Sequence, residues 1–189
     1  MTVLLVGLGL FIGVHTVSIV GVRSRLVAVL GEGPWRGVHA LLATVGLVAM
    51  VYGYAEAQRA ATLVYVTPYA MRYVALALMC VASSLMFAAY LPGRISRFVR
   101  HPLLAAMVLW AAAHLLVNGM THDIVLFGSL LAWAALDWGS FSWRRQRPIA
   151  TAPPSAFNDA LATFGGLAST ALMAWLLHAW LFGVAPLPL

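Results

Sequence analysis

RISRFVRHPLLAAMVLWAAAHLLVN, residues Arg94 to Asn118, decides how the rest of the chain is read. Arg94, Arg97 and Arg100 recur every third residue with Ile95, Phe98 and Val99 between them, the pattern of a short amphipathic turn lying on a membrane surface. Pro102 suits the first turn of the helix that follows, where a missing N–H costs little. The run beyond it is almost wholly apolar and is interrupted by His114 and Asn118. Hydrocarbon offers nothing to satisfy an imidazole or a carboxamide, so both must face a partner, a cavity or a cofactor.

Composition places the whole chain in that setting. Of 189 residues, 63% are hydrophobic and 8% charged, and the mean hydropathy is +0.94. These values lie outside the range of soluble globular chains. The basic residues are all arginine and give a net charge of +6. They cluster beside the ends of apolar segments, where topology and anionic headgroups account for them, and this argues against a nucleic-acid partner. The single cysteine, Cys80, excludes an intramolecular disulfide and a multi-cysteine metal site, and reads as a small buried apolar residue.

The expected fold is all-α: a polytopic membrane protein with one transmembrane domain over residues 1–189, built as a single bundle of six transmembrane helices. The spans fall at about 3–22, 38–54, 73–91, 103–119, 124–139 and 161–182. The first reads as a retained helix rather than a cleaved signal, with Gly9 and Gly13 offering a small-residue face for close packing. Residues 23–37 read as a loop, from Gly31, Gly33 and Pro34. Between residues 55 and 72 the chain is mixed, and Tyr52, Tyr54, Tyr65, Tyr69 and Tyr73 place that stretch along the interface. Nine arginines, among them Arg23, Arg25, Arg36, Arg144, Arg145 and Arg147, fall on one side of the six-span topology, which makes that side cytoplasmic. Both termini then face the periplasm, with the lipid bilayer as the constant partner.

Depth follows from a rise of about 1.5 Å per residue. His114 lies about 20 Å from the cytoplasmic surface and His15 about 12 Å. His39 and His101 fall near that boundary, and His122 and His178 near the opposite one. Trp110, His114 and Asn118, four apart, form one helical stripe. Either deep imidazole alone reads equally well as a neutral buried histidine bonded to a backbone carbonyl or hydroxyl. Two such rings on different helices also suit axial ligation of an iron porphyrin held without covalent attachment. Arg100 and His101 are candidate partners for its propionates, or else a surface anchor and helix cap. Asp137 reads as an ion-pair partner of an arginine or as an orienting group for His101.

LGLFIGVH (8–15), RHPLLAAMVLWAAAHLLVNG (100–119) and the following GSLLAW…RR segment resemble the NnrU family of bacterial membrane proteins over nearly the whole chain. The resemblance implies an inner-membrane protein linked to denitrification and nitric oxide metabolism, through the expression or function of nitrite and nitric oxide reductases. The family is similar to plant zeta-carotene isomerase, a haem b membrane enzyme. That similarity implies His15 and His114 as axial metal ligands, with Trp110, Asn118, Arg100 and His101 around the cofactor. Where that relative has a ligand-exchanging cysteine this chain has Ala111, which argues against both the exchange and the isomerase activity that goes with it.

Three other functions are compatible with the residues. A membrane isomerase of a polyene or isoprenoid lipid follows from the same similarity. Arg-His-Pro at a helix entrance also resembles isoprenylcysteine carboxyl methyltransferases, although no acidic cofactor-binding element follows the fifth span. A cofactor-free assembly factor for a reductase would use the Gly9/Gly13 face for contact.

Overall fold

The computed structural model describes residues 1–144 and 151–186. Among them the regular structure is helical, and strand-like pairing is limited to one bridge between Leu63 and Met120. Three stretches are long and apolar enough to cross a bilayer, Glu32–Ala60, Met71–Ala88 and Phe157–Phe182, which correspond to the second, third and sixth expected spans. Thr2–Thr16 and Pro102–Val117 are apolar but shorter, reaching about 22–24 Å along the axis. The chain divides into two compact units, residues 1–65 with 120–144 and residues 66–119 with 151–186.

The first unit contains α1 (Thr2–Thr16), α2 (Arg23–Leu30), α3 (Glu32–Ala57) and α7 (Thr121–Ser140). A Cβ built on Gly7 would lie 2.5 Å from the Met50 nitrogen, and one on Gly46 would lie 2.8 Å from the Phe11 nitrogen. A Cβ on Gly53 would collide with the Leu4 backbone. The pairs Leu4–Gly53, Gly7–Met50 and Phe11–Gly46 run in opposite directions, so α1 and α3 are antiparallel, with backbones nearly touching. The bulky side chains of α3 point away from this seam: Leu41, Val48 and Val51 are each more than 60% exposed. Small residues inside and branched residues outside is the arrangement expected where lipid is the solvent.

Three expectations are corrected in this unit. No described atom stands within 4 Å of a Cβ built on Gly9 or Gly13, so the packing face of α1 runs through Gly7 instead. The first helix closes at Thr16, and residues 17–22 are turns. The loop expected over 23–37 contains α2 and the beginning of α3. Pro34 falls in the first turn of α3, where its missing N–H has no intrahelical acceptor to lose. Glu32 at that N-terminus accepts from Arg23 at 2.6 Å and from Arg36 at 3.1 Å. Asp137 pairs with Arg144, as expected of a simple ion pair, and Arg144 Nε also donates to Ser140 Oγ at 2.5 Å. Arg145 and Arg147 lie outside the described residues.

The stretch after α3 is a single 3₁₀ turn (Gln58–Ala60) and then non-helical chain to residue 70. The Thr121 N–H donates to the Thr62 carbonyl at 2.9 Å, beside the Leu63–Met120 bridge.

The second unit contains α4 (Met71–Ala88), α5 (Arg94–Val99), α6 (Pro102–Val117) and α8 (Phe157–Leu172), the last continuing through a π-helical turn (Met173–Leu177) into α9 (His178–Phe182). Leu85 on α4 packs with Ala105 and Ala106 on α6, flanked by Ile95 and Val99 of α5. Against α8, Gly166 is so close to Ser84 that a Cβ would collide with its backbone. Thr170 Oγ1 donates within this seam, 2.9 Å from Ser83 Oγ and 3.3 Å from the Met79 carbonyl. The surface turn expected at RISRFVR is α5. Its first N–H groups, on Arg94 and Ile95, donate to the Asp159 carboxylate at 2.9 and 3.0 Å, so its cap comes from α8. Cys80 is half-buried and reduced.

Candidate functional site

His15 and His114 occupy the same local setting. Each stands in the last turn of an apolar helix, α1 and α6 respectively. His15 Nδ1 lies 2.7 Å from the Phe11 carbonyl, and His114 Nδ1 lies 2.8 Å from the Trp110 carbonyl. A carbonyl only accepts, so each Nδ1 carries a proton and donates it. In the neutral ring the lone pair then sits on Nε2. Each ring also rests on the aromatic residue that supplies its carbonyl, with centroids 4.3 Å apart for Phe11–His15 and 4.8 Å for Trp110–His114. The sequence Leu-aromatic-x-x-x-His, Leu10 to His15 and Leu109 to His114, encodes both. Chemically this is how a protein orients an imidazole ligand: the non-ligating nitrogen is tied to a carbonyl, which fixes tautomer and ring direction. Either imidazole, so held, is of the kind that can serve as an iron-porphyrin ligand.

The surroundings of His15 come from three helices of the first unit. His39 on α3 meets it edge-on at 5.0 Å between centroids, and Trp133 on α7 does so at 5.5 Å. Phe11 and Trp133 are 6.5 Å apart, and Trp35 stands 5.9 Å from His39. His39 was missed as a site residue because the second span was expected to begin at residue 38, which put it at the boundary. With α3 beginning at Glu32, it lies two turns inside. The antiparallel register with Gly46 opposite Phe11 then brings it to the end of α1.

Of the other expected site residues, Trp110 does lie beside His114 on α6. The expected stripe ends there, because Asn118 lies beyond the helix in extended backbone, with its N–H bonded to the His114 carbonyl at 2.9 Å. Arg100 and His101 form the corner between α5 and α6. Arg100 is exposed with φ of 62°, and His101 is half-buried immediately before Pro102. Ala111, on the same helix as His114, is fully buried.

A second polar cluster lies elsewhere in the first unit. Tyr54 Oη on α3 donates to Asp123 Oδ1 on α7 at 2.5 Å, and His122 Nε2 stands 3.4 Å from the same oxygen. Burial, and then the Asp123 carboxylate, push the Tyr65 phenol above its ordinary range. Sequence reading treated these residues as interfacial; an adjacent His-Asp pair at a helix start was the available signal. No group of three or more His, Cys, Asp or Glu capable of holding a metal ion is present among the described residues.

Nothing among curated proteins or solved structures matches the chain. The model of the family described as NnrU protein matches residues 3–186. The match takes in the helices of both His15 and His114, and at that coverage the chain belongs to the NnrU family.

Proposed function

We propose that this NnrU family member is a six-span protein of the bacterial cytoplasmic membrane that holds b-type haem through His15 and His114 and serves nitrogen-oxide metabolism beside nitrite or nitric oxide reductase components. The observation that carries the haem reading is the duplicated Nδ1-to-carbonyl bond four residues back, at Phe11 and at Trp110. Bound haem supplies an iron centre whose redox state responds to its axial ligands and surroundings. The chain's own residues hold each imidazole in one tautomer, crowd the His15 ring with Trp133 and His39, and offer Arg100 and His101 as polar partners at the rim. In the six-span reading, the apolar turns at 17–22 lengthen the first crossing, and a short α6 is accommodated by local thinning of the bilayer. The arginine-rich loops face the cytoplasm and both termini the periplasm.

The test is the absorption spectrum of detergent-purified, haem-supplied protein before and after dithionite. A Soret band that shifts on reduction is expected, and it should be lost in both His15→Ala and His114→Ala. A band that persists in the double variant overturns the ligand assignment, and a colourless folded protein overturns the cofactor.

A cofactor-free assembly role is the second reading. It is favoured by the Gly9 and Gly13 face of α1, which no described residue covers. Copurification of a colourless protein with a reductase subunit would select it.

A further inference from the structure

The cluster on α3 and α7 that the haem reading does not use has the makings of a proton site. His122 is 3% and Asp123 4% exposed. Every group around the Asp123 carboxylate presents a donor. Tyr54 O–H and the His122 Nε2 side approach Oδ1, and the Met120 N–H donates to Oδ2 at 3.1 Å. The donors on both oxygens leave the carboxylate well supplied with hydrogen-bond partners in its ionised form. In the neutral tautomer with its proton on Nε2, facing that oxygen, Nδ1 is the nitrogen whose protonation is open. That atom is buried and has no hydrogen-bond partner among the described residues. The arrangement is costly unless the ring does something with its second nitrogen.

From this geometry we propose that Tyr54, Asp123 and His122 form a proton-binding site in which His122 Nδ1 takes up and releases one proton. Loading breaks an O–H bond of hydronium, leaving water, forms an N–H bond on Nδ1 and converts the neutral ring to imidazolium. Release returns the proton to water, and no electron moves. Asp123 supplies the compensating negative charge, without which an imidazolium would not persist at this burial. Tyr54 O–H donates to the same oxygen that faces His122 and so competes with the imidazolium for it. Among the described residues, the titratable groups facing the pair are Tyr54 from α3, Tyr65 from the non-helical stretch and Asp123 from α7 itself. α1 brings the apolar Leu4 to this end of α3, against Gly53. An ionisable pair within apolar helices is the usual material of proton relays in membranes. The proposal does not depend on haem.

The test is NMR of the full chain in phosphatidylcholine nanodiscs, with ¹⁵N-labelled histidine and the His122 signals identified by their loss in His122→Gln. His122 Nδ1 should titrate reversibly between about pH 5 and 8. Asp123→Asn should lower its proton affinity by about tenfold or more, and Tyr54→Phe should raise it. The opposite signs separate proton binding from general loosening, which would move both variants toward the free imidazole value. If Asp123→Asn does not fold, the wild-type titration and Tyr54→Phe decide the matter. A His122 signal unchanged across that range in the wild type, or Tyr54→Phe lowering the affinity, overturns the proposal.

Discussion

The seam between α1 and α3 and the seam between α4 and α8 bring helices together in different ways. In the first, contact rests on glycine at three levels, with Gly7, Gly46 and Gly53 each closing on the opposite backbone. In the second, Gly166 alone closes on opposite backbone while Gly165 meets the Phe87 ring, and a hydroxyl pair, Thr170 and Ser83, adds a hydrogen bond a turn away. Lipid tails are as apolar as leucine, so neither seam is driven by escape from water; both depend on intimate contact or polar bonding. The first should therefore be intolerant of added volume. The second should lose only the modest free energy of its hydrogen bond when a hydroxyl is removed.

The sharpest way to break this contrast is Gly53→Leu. It places a side chain on the Leu4 backbone, where no flexible tail can give way, and should destabilise the first unit by more than about 3 kcal/mol. Folded yield and an SDS-unfolding titration in mixed micelles would register the loss. Thr170→Val keeps the shape of the second seam and removes its donor, with an expected loss of about 0.5–1.5 kcal/mol by the same titration. The smallest effect is expected from Gly9→Leu. That substitution lies on the helix that carries Gly7 but on the uncovered face, and should change stability by less than about 0.5 kcal/mol. A loss like that of Gly53→Leu would show instead that a neighbour seats on that face in the folded protein.

Hydropathy made the helical membrane class legible, along with the position of most helices. The short helical turn at RISRFVR and the Asp137 ion pair were also readable, because each depends on residues close in sequence. What sequence reading got wrong depended on register. Gly9 and Gly13 make as good a small-residue pair as any, but which face of α1 meets α3 is set by the matching positions on α3, and hydropathy does not encode them. Pro34 and its flanking glycines read as a turn although proline is compatible with a first helical turn. That single misreading moved the start of α3 and hid His39 at a supposed boundary. For the candidate site, the contact of Trp110 with His114 was legible from their spacing of four. Asn118 was misplaced because its helix ends at Val117, and Tyr54 was taken for an interfacial ring because its bond to Asp123 joins residues far apart in the chain.

Arg100 is the one residue other than glycine with a positive φ among the described residues, and it sits where α5 must stop before Pro102. A positive φ is sterically unfavourable for an arginine, and His101, the residue before the proline, is itself disfavoured in helical backbone. The bend cannot be a local preference of the Arg-His-Pro triplet. It is imposed by what grips the segment at either end, Asp159 on the start of α5 and the alanine-lined packing of α6. Cut out as a peptide, residues 94–105 would let Arg100 relax to negative φ and straighten.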